Sequence, residues 1–119
     1  MECGIDVVKI SRFEKNLEND LFLEKYFSKQ EIEYINSKNS KTETIAGLFA
    51  CKEAFLKALG IGIGGGIDLK EIDIYHENGK PKIQVTPKID YYLTNLSCSQ
   101  VSVSISHDGD IATAICVIA

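Results

Sequence analysis

Residues 41–59, KTETIAGLFACKEAFLKAL, form the strongest helical pattern of the chain, and everything else has to be arranged around it. Thr42 or Lys41 can begin this helix, and Gly60 supplies a C-cap. Ile45, Phe49 and Leu56, together with the small Ala46 and Ala50, suit close packing against other elements.

The flanking segments read as strands interspersed with shorter helices. Residues 2–8 (ECGIDVV) are apolar and β-branched, which predicts a short buried strand. Helical patterns follow over residues 9–38, with Ile10, Phe13 and Leu17 on one face and Leu21, Phe22 and Tyr26 on another. Ser28 and Glu31 have capping-box spacing, and residues 36–40 read as a polar loop. Residues 72–85 suggest a β-hairpin turning at Asn78-Gly79, and Pro87 can open a short helix in KIDYYLTNL. VSVSISH (101–107) alternates strictly, Asp108-Gly109 signals a tight turn, and IATAICVI reads as a more deeply buried returning strand. This order predicts an α+β fold in which an antiparallel sheet packs on a long central helix, as one domain over residues 1–119.

The chain has 119 residues, 45% hydrophobic and 25% charged, an ordinary balance for a soluble domain. A chain this short buries about two-thirds of its unfolded surface, so a subunit interface would add burial. No apolar run approaches the ~20 residues of a membrane helix, and the N-terminus lacks the pattern of a secretory signal. The net charge of −4 argues against nucleic acid. Cys3, Cys51, Cys98 and Cys116 form no CxxC pair, and each has apolar neighbours. They are read as small buried hydrophobes in a reducing compartment, which together with the other features indicates the cytoplasm.

Several charged positions are unusual. Asp6 sits among Ile5, Val7 and Val8, which is costly unless the acid is paired, bound to a cation or turned to water at a strand end. Glu53 and Lys57 are one turn apart and read, on spacing alone, as a surface ion pair. The run GIGIGGG (60–66) either allows close approach of a ligand or is a mobile connector; it is not a Walker loop. Lys9, Arg12 and Lys15 recur at three-residue spacing, and Arg12 is the only arginine. His107 closes VSVSISH beside a turn, where a histidine is ordinarily solvated. His76, in YHENG, reads as a surface residue.

Taken together, GIDVVKISRF (4–13), FACKEAFLKALGIGI (49–63), NGKP (78–81) and VSISH (103–107) resemble the holo-[acyl-carrier-protein] synthase family of phosphopantetheinyl transferases. The likeness spans essentially the whole chain. It implies a Mg2+-dependent enzyme that moves 4′-phosphopantetheine from coenzyme A to a serine of an acyl carrier protein. By the same likeness, Asp6 and Glu53 hold the metal, a fitting pair because magnesium takes one or two carboxylates plus phosphate oxygens and water. Lys57 would face the coenzyme A phosphates. Gly60 and Gly62 would let the backbone approach the nucleotide, though a plain cap explains Gly60 equally well. His107 would lie beside the nucleotide or pyrophosphate.

The acceptor of the serine proton is expected to be a metal-bound water or hydroxide oriented by Asp6, with direct base action by Glu53 or His107 as the alternatives. The resemblance gives Arg12, with Lys9 and Lys15, to the acidic carrier protein, and it implies a homotrimer in which Asp6 and His107 face Glu53 and Lys57 across a subunit boundary. One departure stands out: Leu48 occupies a position that is basic in many relatives, which implies weaker nucleotide binding here unless Lys41 or Lys52 substitutes. The alternative functions are the same transfer to the carrier domain of a dedicated synthase, or a non-catalytic module that binds coenzyme A.

Overall fold

The computed structural model describes residues 1–62 and 64–119. Its elements are β1 (Glu2–Lys9), a 3₁₀ helix (Ile10–Asn16), α1 (Asp20–Tyr26), α2 (Lys29–Asn36), α3 (Lys41–Leu59), a short 3₁₀ turn (Leu69–Glu71), β2 (Ile74–Glu77), β3 (Lys80–Ile83), α4 (Pro87–Asn95), β4 (Val101–Asp108) and β5 (Ile111–Ile118). All strand pairing is antiparallel. The main sheet has the order β1-β5-β4, and β2-β3 is a separate hairpin. The α+β reading therefore holds.

The sheet offers α3 a face of small and branched residues. Ala112, Ala114, Cys116 and Ile118 of β5 are all buried, and β1 adds Gly4 and Val8 from the same pleat face. At Gly4 the strand and helix backbones nearly touch: a Cβ there would lie 2.6 Å from the Ala58 amide nitrogen and 2.9 Å from the Lys57 Cβ, and nearer still to the Ala54 carbonyl. Only glycine fits this crossing. The expectation of a buried β1 is corrected in one respect. It is buried on one face only, because the 59%-exposed Ile5 and 58%-exposed Val7 point away from α3.

The helical patterns of residues 9–38 resolve into three short pieces. Asn19 caps α1 by accepting from the Phe22 amide at 3.2 Å. At α2 the capping box forms as expected: Ser28 N–H donates to Glu31 Oε1 (2.8 Å), and Glu31 N–H donates to Ser28 Oγ (3.1 Å). Asn78 and Gly79, at φ 53° and 78°, form the left-handed pair that a two-residue hairpin turn needs. The last hairpin turns one residue later than expected, since Asp108 still pairs with Ile111 and the turn is Gly109-Asp110.

A charged clasp lies beneath α3. Lys52 is fully buried and donates to Glu31 Oε1 (2.6 Å), to the Tyr26 carbonyl (2.8 Å) and to the Leu69 carbonyl (2.9 Å). Glu31 also accepts from the Ile74 amide at 2.9 Å. Burial pushes the Glu31 carboxyl up and the Lys52 ammonium down, while their mutual attraction opposes both shifts. The many hydrogen bonds keep the charges tolerable inside. One ammonium thus ties α1, α2 and the Leu69 turn to α3, and through Glu31 it also holds the hairpin.

Candidate active site

Strand pleating turns Asp6 toward α3, on the same face as Gly4 and Val8. Because Gly4 lets α3 approach so closely, Asp6 meets side chains from the helix. Lys57 Nζ donates to Asp6 Oδ1 and to the Ile5 carbonyl, each at 3.0 Å. Asp6 Oδ2 is buried and has no hydrogen-bond partner, the one such side-chain atom among the described residues. Glu53, one turn before Lys57 on α3, is half-buried. Its carboxyl is pushed above the usual carboxylate range by burial first and by the Asp6 charge second, with Lys57 and Arg12 pulling it back. The surface ion pair expected between Glu53 and Lys57 is therefore replaced: Lys57 bonds Asp6, and the two acids crowd one another.

An orphaned carboxylate oxygen beside a second, uncomfortable carboxyl fits a hard cation with oxygen ligands. Among the described residues no cluster of three or more ligating side chains exists, so Asp6 and Glu53 would be two protein ligands of an ion that takes the rest from substrate and water.

Arg12 stands at the edge of this cluster, in the 3₁₀ helix directly after β1. Its guanidinium lies 5.2 Å from the ring centroids of both Phe13 and Phe49, within cation–π range. Asp110 fixes the start of that helix, accepting from the Ser11 amide (2.8 Å) and the Ser11 hydroxyl (2.7 Å). These bonds hold the Asp110 carboxyl below its ordinary range. Three residues per turn stack Arg12 and Lys15 on one edge of the helix, Lys9 ends β1 just before it, and all three are exposed.

His107 is elsewhere. It lies on β4, and its Nε2 donates to the Glu43 carbonyl at 3.0 Å. The ring packs on Gly47, where a Cβ would be 3.0 Å from Nε2. β1 and β4 are opposite edges of the sheet with β5 between them, so Asp6 and His107 are separated by two strand spacings, about 10 Å, and by a further two residues along the strands. This corrects the expected grouping: Asp6 joins Glu53 and Lys57 within one chain, and His107 is the residue apart.

The sequence pattern of the 4′-phosphopantetheinyl transferase superfamily matches residues 2–116. The chain belongs to that superfamily. It is 43% identical to the holo-[acyl-carrier-protein] synthase of Caldicellulosiruptor saccharolyticus, over 98% of this chain and 93% of the relative. It is 40% identical to that of Finegoldia magna, over 99% and 95%. Its fold matches the Helicobacter pylori holo-[acyl-carrier-protein] synthase in complex with coenzyme A with a TM-score of 0.85 at 36% identity, covering 98% and 99% of the two chains. The Neisseria meningitidis synthase gives 0.87 at 29% identity, covering 99% and 97%.

In this member of the superfamily Gly60 is a left-handed C-cap at φ 76°, and Gly62 is exposed with open space around it. Ile63, within the glycine run, lies outside the described residues. A cavity of about 530 Å3 borders the run, lined by Tyr26, Leu56, Gly64, Ile67 and Leu69 among others, and none of Asp6, Glu53, Lys57 or His107 reaches it. Lys52, proposed as a substitute for the missing base at Leu48, is committed to Glu31 in the interior and cannot serve; Leu48 itself is buried. Cys3 is exposed, unlike the other three thiols.

Three features escaped the sequence reading. Lys52 could have been found, because it falls in the middle of the buried stripe Ile45, Leu48, Phe49, Phe55, Leu56 and Leu59. Gly4 gave no local signal, since its neighbour lies 50 residues on. His76, expected at the surface, is half-buried and stacked on Tyr34, with centroids 4.0 Å apart and the planes 11° from parallel.

Proposed function

We propose that this chain, as a single phosphopantetheinyl transferase domain, transfers 4′-phosphopantetheine from coenzyme A to a serine hydroxyl of an apo-acyl carrier protein. The observation that carries the reading is the Asp6–Glu53–Lys57 cluster, with its unpartnered, buried Asp6 Oδ2. Two acids held together with a single lysine between them make a site short of positive charge, and a diphosphate with its counter-cation supplies what is missing.

The serine oxygen forms a bond to the β-phosphorus, and the bond from that phosphorus to the bridging oxygen breaks, releasing adenosine 3′,5′-bisphosphate. Asp6 and Glu53 would hold Mg2+, which when bound offsets the diphosphate charge and orients its oxygens. Lys57 is half-exposed and free to pivot from Asp6 to the departing phosphate, where its ammonium stabilises developing charge. The attacking hydroxyl must lose its proton. Glu53 lies within the cluster for that task, whereas His107 of the same chain does not. Arg12, flanked by Lys9 and Lys15, offers an acidic carrier planar donors that pair with carboxylates.

The outer face of the main sheet carries Ile5, Val7 and Ile115 in the open. A second and third copy of the chain would cover it. In such a trimer the His107 edge of one subunit would complete the Asp6–Glu53 edge of the next. The thiols of Cys51, Cys98 and Cys116 are buried and unpaired, in keeping with a reducing cytoplasm.

The decisive assay incubates the protein with magnesium, coenzyme A and an apo-carrier and weighs the carrier by mass spectrometry. The expected gain is one phosphopantetheine arm, abolished by chelator and reduced by orders of magnitude in Asp6→Asn or Glu53→Gln. An unmodified carrier, or modification indifferent to both substitutions, would refute the reading.

A further inference from the structure

The 3₁₀ helix after β1 needs outside support. It runs for seven residues, Ile10–Asn16, whereas such helices rarely exceed about three or four. Its N-cap is Lys9, whose side chain makes no capping bond, and its first turn holds no acid. The residues that normally cap a helix are short and carry a side-chain oxygen. None stands at that position.

The cap comes from the far end of the chain. Gly109 turns at φ 56°, and Asp110 follows it at the start of the helix. The Asp110 carbonyl accepts from the Ile10 amide at 2.8 Å. Its carboxylate accepts from the Ser11 amide (2.8 Å) and from the Ser11 hydroxyl (2.7 Å). One residue, 99 positions from Ser11 in the chain, thus satisfies both of the first free amides. Arg12 comes next. Its guanidinium lies over the buried rings of Phe13 and Phe49, close enough to the carboxylate cluster to pull the Glu53 carboxyl down. The backbone under Arg12 is therefore held by Asp110, and its head rests on two aromatic faces.

We propose that Asp110 is a positioning residue for carrier recognition: by capping the 3₁₀ helix it fixes the direction in which Arg12 meets the acidic partner. This role rests on the transferase reading of the carboxylate cluster. Charge and geometry pull in opposite directions here. Asp110 is exposed, and its bonds to Ser11 keep it ionised. By charge alone it repels an acidic carrier, and its removal should help binding. As a cap it does the reverse, because its removal frees the first turn and lets Arg12 swing.

Steady-state kinetics with coenzyme A and an apo-carrier separate the two effects. Asp110→Ala should raise the KM for carrier about fivefold, the scale of one lost helix cap, with kcat and the KM for coenzyme A unchanged. Asp110→Asn keeps an oxygen for the Ser11 amide and should retain most of the native value. On an Arg12→Ala background, Asp110→Ala should add nothing, since no guanidinium remains to be directed. Should Asp110→Ala fail to fold in thermal melts, Ser11→Ala carries the test. It removes only the hydroxyl bond, and the KM for carrier should still rise about twofold. A lower or unchanged KM for carrier in the folded variant would overturn the proposal, as would an undiminished rise on the Arg12→Ala background. If the native protein modifies no carrier, the transferase reading fails and this role with it. If it does and the folded variant behaves as native, the positioning role alone fails.

Discussion

Asp6 has two carboxylate oxygens in unequal company: Oδ1 bonds Lys57, and Oδ2 has nothing. Glu53 shares the discomfort, and a pH test follows from it. Its carboxyl titrates above the ordinary 4.5 because of burial and then Asp6. Between 4.5 and that raised value the folded chain holds more protons than the unfolded one. Stability therefore falls as pH rises through this window and is greatest below it. In metal-free buffer at neutral pH, Glu53→Gln should melt at a higher temperature than the native protein, and the difference should vanish below pH 4.5. Magnesium should raise the melting temperature of the native protein and leave that of Glu53→Gln nearly unmoved. Gly4→Ala makes the opposite kind of change. Its methyl group would collide with the Ala54 and Ala58 backbone, so urea unfolding should register a loss of about 1–3 kcal/mol or more. Asp6 was legible in the sequence as a costly acid inside an apolar strand, whereas Glu53 was legible only through the family resemblance, because its spacing alone reads as a surface pair with Lys57. The Lys57–Asp6 bond was not, because it depends on how closely a strand and a helix 51 residues apart approach.

Elements were read well wherever local rules decide them. α3 runs over the anticipated residues, the Ser28–Glu31 box forms, Asn78-Gly79 turns the hairpin, and Pro87 opens α4. Reading failed where packing decides. The segment after β1 tightens into a 3₁₀ helix under the grip of Asp110, and the cap glutamate of α2 doubles as the counterion of Lys52. That clasp predicts a sharp asymmetry. Lys52→Met strands a buried carboxylate and should cost about 3–5 kcal/mol in urea unfolding, whereas the double substitution with Glu31→Leu should recover much of the loss. Equal losses in the single and double variants would show that the ion pair is not what joins α1, α2 and the Leu69 turn. At the 3₁₀ helix, Arg12→Ala should raise the KM for carrier severalfold and leave coenzyme A binding alone, since the partner proposed for it is an exposed acidic surface. Equal shifts for the two substrates would count against a carrier-facing Arg12.

At the scale of the whole molecule, one face of the main sheet is covered by α3 and the other is bare. Ile5↔Ile115 is a cross-strand pair with both side chains outward. An apolar sheet face of this kind is completed by association. Ile5→Asp should shift sedimentation from a trimer to a monomer and reduce transfer along with it; a native protein that sediments as a monomer at assay concentration would rule the assembly out. The sequence indicated β1 as apolar but could not say which of its side chains meet the helix and which stay outside, because the pleat alone does not name the covered face. The placement of Asp6 and His107 on opposite edges of one sheet has a genetic corollary. In the proposed trimer, a cell producing a Glu53→Gln chain and a His107→Ala chain, each inert by itself, would rebuild about a quarter of its sites as sound ones by random threefold mixing. Intragenic complementation between two null alleles would then be the phenotype of this geometry.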